Sequence, residues 1–414
     1  MQTFTYIFLA FLLASTLVQI YLSLRQKQHV STHRSAVPAP FADKITLDEH
    51  QKAADYTLAK GGVGRIDLLI GLVVLLAWTL GGGLEWLDQQ WRSFGWGDLY
   101  TGTAVIISLI LIGSLLDMPL SLYRTFVLEE RFGFNKMTPA TFLMDLLKGA
   151  ALSLLIGIPV VMLILWLMES AGSLWWLYAW AALTAFSLLM TWAYPKFIAP
   201  LFNKFSPLEE GEVADRLNAL LTRTGFNSKG VFIMDGSRRS AHGNAYFTGF
   251  GKNKRIVFFD TLLKHLTPAQ VEAVLAHELG HFKRKHIVKG MALSMIMTLT
   301  GFAVLAWLMG QTWFYTSLSI SQPSTYMALL LFVLVSPAFT FFIGPIMAWW
   351  SRKHEFEADE FAAQQSSGTE LIAALVGLYK ENASTLTPDP WYSAFYDSHP
   401  PAAIRIAHLQ QQTD

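Results

Sequence analysis

Seven long apolar stretches constrain the fold of this chain more than any other feature. A helix needs about 20 mostly apolar residues to cross the hydrocarbon core of a bilayer. The stretches lie approximately at residues 4–24, 68–84, 101–123, 149–168, 174–194, 290–309 and 326–350. The sequence therefore predicts a mainly α-helical, polytopic membrane protein with seven transmembrane helices.

The composition agrees with this prediction and excludes several classes of function. Hydrophobic residues make up 53% of the 414 residues and charged residues only 15%, whereas about a quarter of a soluble protein is charged. The net charge of +1 predicts no nucleic-acid partner. Because the chain has no cysteine, disulfides, thiolate zinc sites and a cysteine nucleophile are excluded.

Lysine and arginine alternate between the loops that join the apolar stretches. They are frequent in residues 25–67, 124–148 and 195–289, whereas residues 85–100 contain only Arg92 and residues 169–173 and 310–325 contain none. Positively charged loops remain in the cytoplasm. We therefore expect the N-terminus outside, the C-terminus inside and the long polar segment on the cytoplasmic side.

That polar segment contains an HExxH sequence at residues 277–281. Thr267, Pro268 and Gln270 predict the start of a helix, with a capping box closed by Gln270. Two histidines four residues apart share one helix face, so His277 and His281 can bind one zinc ion. The glutamate between them, Glu278, can then reach a metal-bound water, which predicts peptide hydrolysis.

A third ligand is expected from a downstream segment that also reads as a helix. Glu355 would complete a site of two histidines and one glutamate with an open position for water. Asp359, one turn later, could hydrogen-bond the free N–H of a ligand histidine. His354 and Glu357 are alternative ligands, but only Glu355 has a suitable supporting residue one turn away.

The long polar segment also predicts three short strands. They lie at residues 230–234, 244–250 and 255–259, and the last two read as a hairpin. A strand edge beside the HExxH helix could hold an extended peptide by adding it to the sheet. We divide the chain into a membrane region at residues 1–194, with five transmembrane helices and a cytoplasmic first loop, and a zinc metalloprotease region at 195–414, with two more (about 290–309 and 326–350).

Several separated motifs, taken together, resemble the type I CAAX prenyl endopeptidases, a family of integral-membrane zinc metalloproteases. The motifs lie at residues 49–57, 244–250 with 252–257, 277–281, 355–359 and 398–401. The resemblance implies seven helices around a large chamber, a small α+β protease portion at its cytoplasmic end, and one Zn²⁺ per chain. It also implies that the enzyme cuts CAAX-type prenylated C-termini.

The resemblance further implies a role for each matching residue. His277, His281 and Glu355 would bind zinc, Glu278 would be the general base, and Asp359 would support a ligand. Asn244 and His399 would contact the substrate or the reacting carbonyl, and Arg405 would brace the loop that carries His399. We assign the remaining histidines of interest to packing or to the surface: His50, His242, His265 and His286.

We therefore expect an integral-membrane zinc endopeptidase that acts on peptides or membrane proteins, some of them lipidated, within the lipid bilayer. One alternative is a quality-control protease of the HtpX type, and a less favoured one is a non-enzymatic zinc transporter or channel. Compact loops and a C-terminus without a dilysine signal indicate a bacterial member in the inner membrane. A eukaryotic member would lie in the endoplasmic reticulum membrane. The sequence does not indicate an oligomeric state.

Overall fold

A computed structural model describes residues 2–226, 229–248 and 255–413. In this part of the chain the helices are α1 (Thr3–Thr32), α2 (Leu47–Trp78), α3 (Gly83–Arg92), α4 (Asp98–Tyr123), α5 (Pro139–Ser170), α6 (Trp175–Ala193), α7 (Ala199–Phe202), α8 (Glu212–Arg223), α9 (Asp260–His265), α10 (Pro268–Lys283), α11 (His286–Met309), α12 (Thr312–Thr316), α13 (Thr325–Thr340), α14 (Gly344–Gln365), α15 (Gly368–Glu381), α16 (Pro390–Tyr396) and α17 (Ala402–Thr413). The strands are β1 (Phe205–Pro207), β2 (Val231–Met234), β3 (Ala245–Thr248) and β4 (Arg255–Phe259).

The seven predicted membrane spans are confirmed within the described residues. Helices α1, α2, α5 and α11 each form one span, α4 continues through a π-helical turn to Glu129, and α6 lies inside the span Gly172–Phe202. The seventh span, Thr325–Gln365, combines α13 and α14. Most of these helices extend well past the apolar stretch that predicted them, so the first loop is largely helical.

The second span is displaced from its predicted position at residues 68–84. Helix α2 ends at Trp78, and Gly82 has a φ of +76°, a conformation in which residues other than glycine are strained. At Gly81, a Cβ atom would lie 2.8 Å from the carbonyl oxygen of Ala77. The glycine run therefore breaks the helix, and α3 begins a separate segment at Gly83.

The spanning helices pack closely at one end and separate at the other. Near α3, α12 and the start of α13, fully buried side chains such as Phe8, Leu84 and Tyr326 form the membrane core. Elsewhere the helices surround a chamber of adjoining cavities. One cavity, of about 810 Å³, lies between α1, α2, α13 and α14. We call it the apolar cavity because side chains such as Leu12, Leu72 and Phe341 line it. A second cavity, also about 810 Å³, lies between α1, α2 and the segment around β3. We call it the cationic cavity because Lys27, Lys60 and Arg65 line it. It shares Tyr396 with the apolar cavity.

The polar segment folds into a mixed sheet with the strand order β1-β2-β4-β3 in the described residues. The predicted strands correspond to β2, β3 and β4, and the predicted antiparallel pairing of β3 with β4 is confirmed. The rest of the predicted hairpin, residues 249–254, lies outside the described residues. Strand β1 and the parallel pairing of β2 with β4 were not predicted. Within the described residues β3 is the last strand of the sheet, so no further strand pairs with its outer edge.

Candidate active site

Helix α10, which carries the HExxH residues, begins where the sequence predicts. The hydroxyl of Thr267 accepts a hydrogen bond from the Gln270 N–H, and the Gln270 side chain accepts one from the Thr267 N–H. Pro268 occupies the first helical turn. The buried face of α10 includes Val271, Leu275 and Leu279, which contribute to a second apolar core with α8, α15 and β4. This core fixes the rotation of the helix and therefore the direction of its histidines.

Gly280 allows α10 to cross α14 at very short distance. A Cβ atom at this position would lie 2.8 Å from the Cα of Ala358 and 3.0 Å from its carbonyl oxygen. Both atoms belong to the backbone of α14, which cannot move aside without displacing the helix. The glycine inside the HExxH sequence therefore brings the histidines of one helix within reach of the carboxylates of the other.

Three predicted ligands converge at this crossing. The Nε2 atoms of His277 and His281 are 3.2 Å apart, and the two carboxylate oxygens of Glu355 lie 3.5 Å from His277 Nε2 and 3.3 Å from His281 Nε2. All three residues can offer one ligand atom each to a common metal ion. Two imidazoles and one carboxylate form a donor set that suits zinc.

One atom of this group supports a metal ion independently of the motif. Glu355 Oε2 is buried and has no hydrogen-bond partner, and the guanidinium of Arg405 remains 3.6 Å away. A buried carboxylate oxygen without a partner is costly, and such groups usually have one. A cation between Glu355 and the two Nε2 atoms would satisfy it, so the residues fit the expected metal.

The face of His277 that points away from Glu355 rests on a fully buried carboxylate. His277 Nδ1 lies 2.8 Å from Asp359 Oδ1. Arg405 donates to the two oxygens of Asp359 over 2.8 and 2.5 Å. With a proton on Nδ1, His277 directs the lone pair of Nε2 toward the expected metal. The Arg405 side chain thus contacts Asp359 and, over 3.4 Å, Nδ1 of His277, while its backbone N–H donates to the carbonyl oxygen of Pro401. That Arg405 braces the loop of His399 stays a prediction.

His281 is supported by His286, which was expected to be a packing or surface residue. Its Nδ1 lies 3.0 Å from Nδ1 of His286, and Nε2 of His286 lies 3.0 Å from Glu357 Oε2. If Nδ1 of His281 carries a proton, it donates a hydrogen bond to Nδ1 of His286. Nε2 of His286 then donates a hydrogen bond to Glu357. The available signal was a third histidine five residues after His281, at the start of the next helix.

The two alternative ligands therefore have other partners. Glu357 pairs with His286 and has 42% of its side chain exposed. His354 stacks on the His286 ring, with centroids 3.9 Å apart and an interplanar angle of 11°. Among the described residues, only His277, His281 and Glu355 form a group that could hold a metal ion. Metal binding by these three residues stays a prediction.

The two residues expected to contact substrate occupy different positions. His399 Nε2 lies 3.4 Å from Glu355 Oε1, although 64% of the His399 side chain is exposed. Asn244 is exposed, directly precedes β3 and lines the cationic cavity. Its side-chain oxygen accepts a hydrogen bond from the N–H of Ala245 over 2.8 Å. His399 is therefore adjacent to the expected metal, whereas Asn244 lies beside the free strand edge.

Burial and charge act in opposite directions on the ionisable groups of α10. Burial alone would lower the pKa of His277, but its close contacts with the carboxylates of Asp359 and Glu355 outweigh this and raise the pKa to about 9. Burial raises the pKa of Glu278 above its ordinary value, against the opposing charges of His277 and His281.

Comparison with known proteins covers almost the whole chain. Residues 26–204 match the family model described as "CAAX prenyl protease N-terminal, five membrane helices", and residues 207–413 match that of peptidase family M48. CAAX prenyl protease 1 of Saccharomyces cerevisiae is 32% identical over 96% of this chain and 93% of its own length. The CAAX prenyl protease 1 homolog of Homo sapiens is 31% identical over 95% and 92%, respectively.

A solved structure extends the likeness to three dimensions. The crystal structure of S. mikatae Ste24p superposes with a TM-score of 0.91 at 32% identity and covers 99% of both chains. These relatives are eukaryotic and give no support to the expected bacterial origin or to a transporter or channel. The chain thus belongs to peptidase family M48, and it is an integral-membrane metalloendopeptidase with the five-helix N-terminal region of the CAAX prenyl proteases.

Proposed function

We propose that this protein is a zinc-dependent endopeptidase that hydrolyses a peptide bond near the prenylated C-terminus of CAAX-type substrates. The observation that carries the zinc assignment is the buried Glu355 Oε2, which accepts no hydrogen bond and lies 3.5 Å from His277 Nε2, while Oε1 of the same carboxylate lies 3.3 Å from His281 Nε2. The substrate assignment follows from relatives named CAAX prenyl protease 1. Because these relatives are named for CAAX processing, they favour this function over the quality-control alternative.

The chemistry follows from the positions of the protein's own groups. Zinc bound by His277, His281 and Glu355 would polarise the scissile carbonyl and acidify the attacking water. Glu278, on the same helix, accepts the proton of that water and returns it to the leaving amine. Burial raises the pKa of Glu278. The carboxylate therefore holds the proton that it takes from water more readily until it passes it to the leaving amine.

Two further groups act on the substrate. Nε2 of His399, beside Glu355, donates a hydrogen bond to the oxygen that becomes negative during attack. An extended peptide pairs with the free edge of β3, where Asn244 contacts its backbone. The apolar cavity, lined by side chains such as Leu12, Leu72 and Phe341, provides space for an isoprenoid chain.

Metal content and turnover of one set of variants test the assignment. We expect one zinc per chain in the wild-type protein, and loss of zinc in His277→Ala, His281→Ala and Glu355→Ala. Glu278→Gln removes the base but no ligand, so zinc should be retained while cleavage of a farnesylated peptide falls about 10²- to 10⁴-fold. Glu272→Gln, on another face of α10, is the matched control. Turnover by Glu278→Gln at the wild-type rate would refute the proposed base.

We also propose that the active site faces the cytoplasm, because lysine and arginine alternate between the loops. Gln322 and Glu210 are exposed residues on segments predicted to lie on opposite sides of the membrane. In a bacterial host, a membrane-impermeant thiol reagent should label Gln322→Cys in intact cells and leave Glu210→Cys unmodified. The chain has no cysteine of its own to interfere. The reverse labelling pattern would overturn the orientation.

The division between the two regions near residue 195 stays a prediction.

A further inference from the structure

We infer that the cationic cavity is a subsite for the free C-terminal carboxylate of the peptide substrate. The inference rests on the proposed function, since it deepens how that active site recognises its substrate. The cavity is lined by Lys27 of α1 and by Lys60 and Arg65 of α2. No aspartate or glutamate is among its lining residues in the described part of the chain. Three cations without a carboxylate around one cavity favour an anionic ligand.

Among the described residues, none of these three cations forms an ion pair with a carboxylate. Arg65 donates a hydrogen bond to the hydroxyl of Ser23 over 3.0 Å, and the Lys60 ammonium lies 4.8 Å from the centre of the Tyr56 ring. Neither contact neutralises a charge. The nearby carboxylates have other partners: Asp55 pairs with Arg34 and Asp67 pairs with Arg124. Glu129, which lines an adjoining cavity with Lys60, accepts a hydrogen bond from Tyr56 and contacts His242.

The position of Arg65 in α2 also points to a function. It lies inside the span Leu47–Trp78 and lines the cavity, and an ionisable residue of a spanning helix that faces a wet interior is a candidate for ligand binding. The contact with Ser23 brings α1 and α2 together at this level. One turn further along α1, Lys27 therefore lies close to the level of Lys60.

Two glycines keep the wall between Lys60 and Arg65 open. Gly61 and Gly64 both line the cavity. A Cβ atom at Gly64 would meet no atom within 4 Å, and one at Gly61 would make only an ordinary contact with Arg65. Close packing does not explain these glycines, although each costs a helix about 1 kcal/mol relative to alanine. Their absence of side chains preserves space where the cations converge.

The cavity adjoins the candidate active site. Asn244, at the entry to the free strand edge, is one of its lining residues. It shares Gln26, Ser384 and Tyr396 with the smaller cavity that His399 lines. A peptide paired with β3 can therefore extend from His399 into the cationic cavity. Three extended residues beyond the scissile bond would span roughly 10 Å.

A pair of matched peptides tests the inference in the zinc-loaded, full-length protein. One is a farnesylated peptide with a free C-terminal carboxylate, and the other is its carboxamide. We expect the wild-type protein to have an about tenfold lower KM for the acid than for the amide, with similar kcat. Lys60→Gln and Arg65→Gln should remove this difference. Lys52→Gln, on α2 but outside the cavity and over the Phe134 ring, should preserve it.

A binding measurement keeps the inference testable even if neither peptide is cleaved, which would count against the proposed function alone. A fluorescent tripeptide acid and its amide are titrated into the Glu278→Gln protein, and the acid should bind about tenfold more tightly. Equal binding of acid and amide would overturn the inference. If Lys60→Gln instead weakened only the binding of short-chain phosphatidylglycerol, the cations would belong to a lipid headgroup site and the inference would be wrong.

Discussion

The two histidines of the HExxH sequence are supported in contrasting ways. His277 rests on Asp359 and Arg405, a carboxylate–guanidinium pair that is almost entirely buried. His281 rests on His286, which in turn contacts Glu357, a residue with 42% of its side chain exposed. One half of the site is therefore anchored in the protein interior, and the other half ends at an accessible carboxylate.

This difference determines what each support contributes. Removing one member of a buried ion pair leaves an uncompensated charge, which is strongly destabilising. Removing a solvent-accessible support leaves a partner that water can solvate, so stability changes little. The main effect is then a poorer orientation of the histidine ligand. We therefore expect the buried side to govern both folding and metal binding, and the accessible side to adjust metal affinity alone.

The largest effect is expected for Asp359→Ala. The change leaves the Arg405 charge and His277 Nδ1 without their buried partner, which should cost about 3–5 kcal/mol of stability and most of the zinc affinity. Thermal unfolding and zinc analysis of the purified protein measure both quantities. Glu360→Ala is the matched control because Glu360 and its partner Arg284 are each 45% exposed. If Asp359→Ala unfolds at the wild-type temperature and retains its zinc, the buried support of His277 does not govern folding or metal binding.

A smaller effect, confined to turnover, is expected for His399→Ala. His399 is 64% exposed, so its removal leaves no buried group unsatisfied and stability should be unchanged. Loss of an oxyanion donor typically lowers kcat about 10²- to 10³-fold, while zinc content and KM remain nearly constant. We expect the same pattern for Asn244→Ala. A variant with wild-type kcat would show that the altered residue has no part in stabilising the transition state.

The smallest effect is expected for His286→Ala, measured as zinc affinity in competition with a chelator. Loss of the contact to His281 should weaken zinc binding about 10- to 100-fold, and Glu357→Ala should weaken it less. Because both residues act through one chain of hydrogen bonds, the double variant should resemble His286→Ala alone. Additive losses would mean that Glu357 acts independently, for example as a ligand in place of Glu355.

Local sequence patterns determined the elements of this protein and most of its candidate site. The apolar stretches fixed seven spans because a segment in hydrocarbon must satisfy its own backbone hydrogen bonds, which a helix does. Thr267 and Gln270 fixed the start of α10, and the spacing of His277 and His281 fixed their common face. These are short-range properties that each segment carries by itself. The family motifs added His399 and Asn244, whose roles no local pattern predicts.

Contacts between distant segments were decided only by the tertiary structure. No local periodicity connects the residues that pair β2 with β4, or His286 with Glu357. The same holds for the cations that α1 and α2 bring to one cavity. Gly280 illustrates the reason most directly. In the sequence it is an unfavourable helix residue, and only the crossing with Ala358 shows that its missing side chain lets two ligand-bearing helices meet.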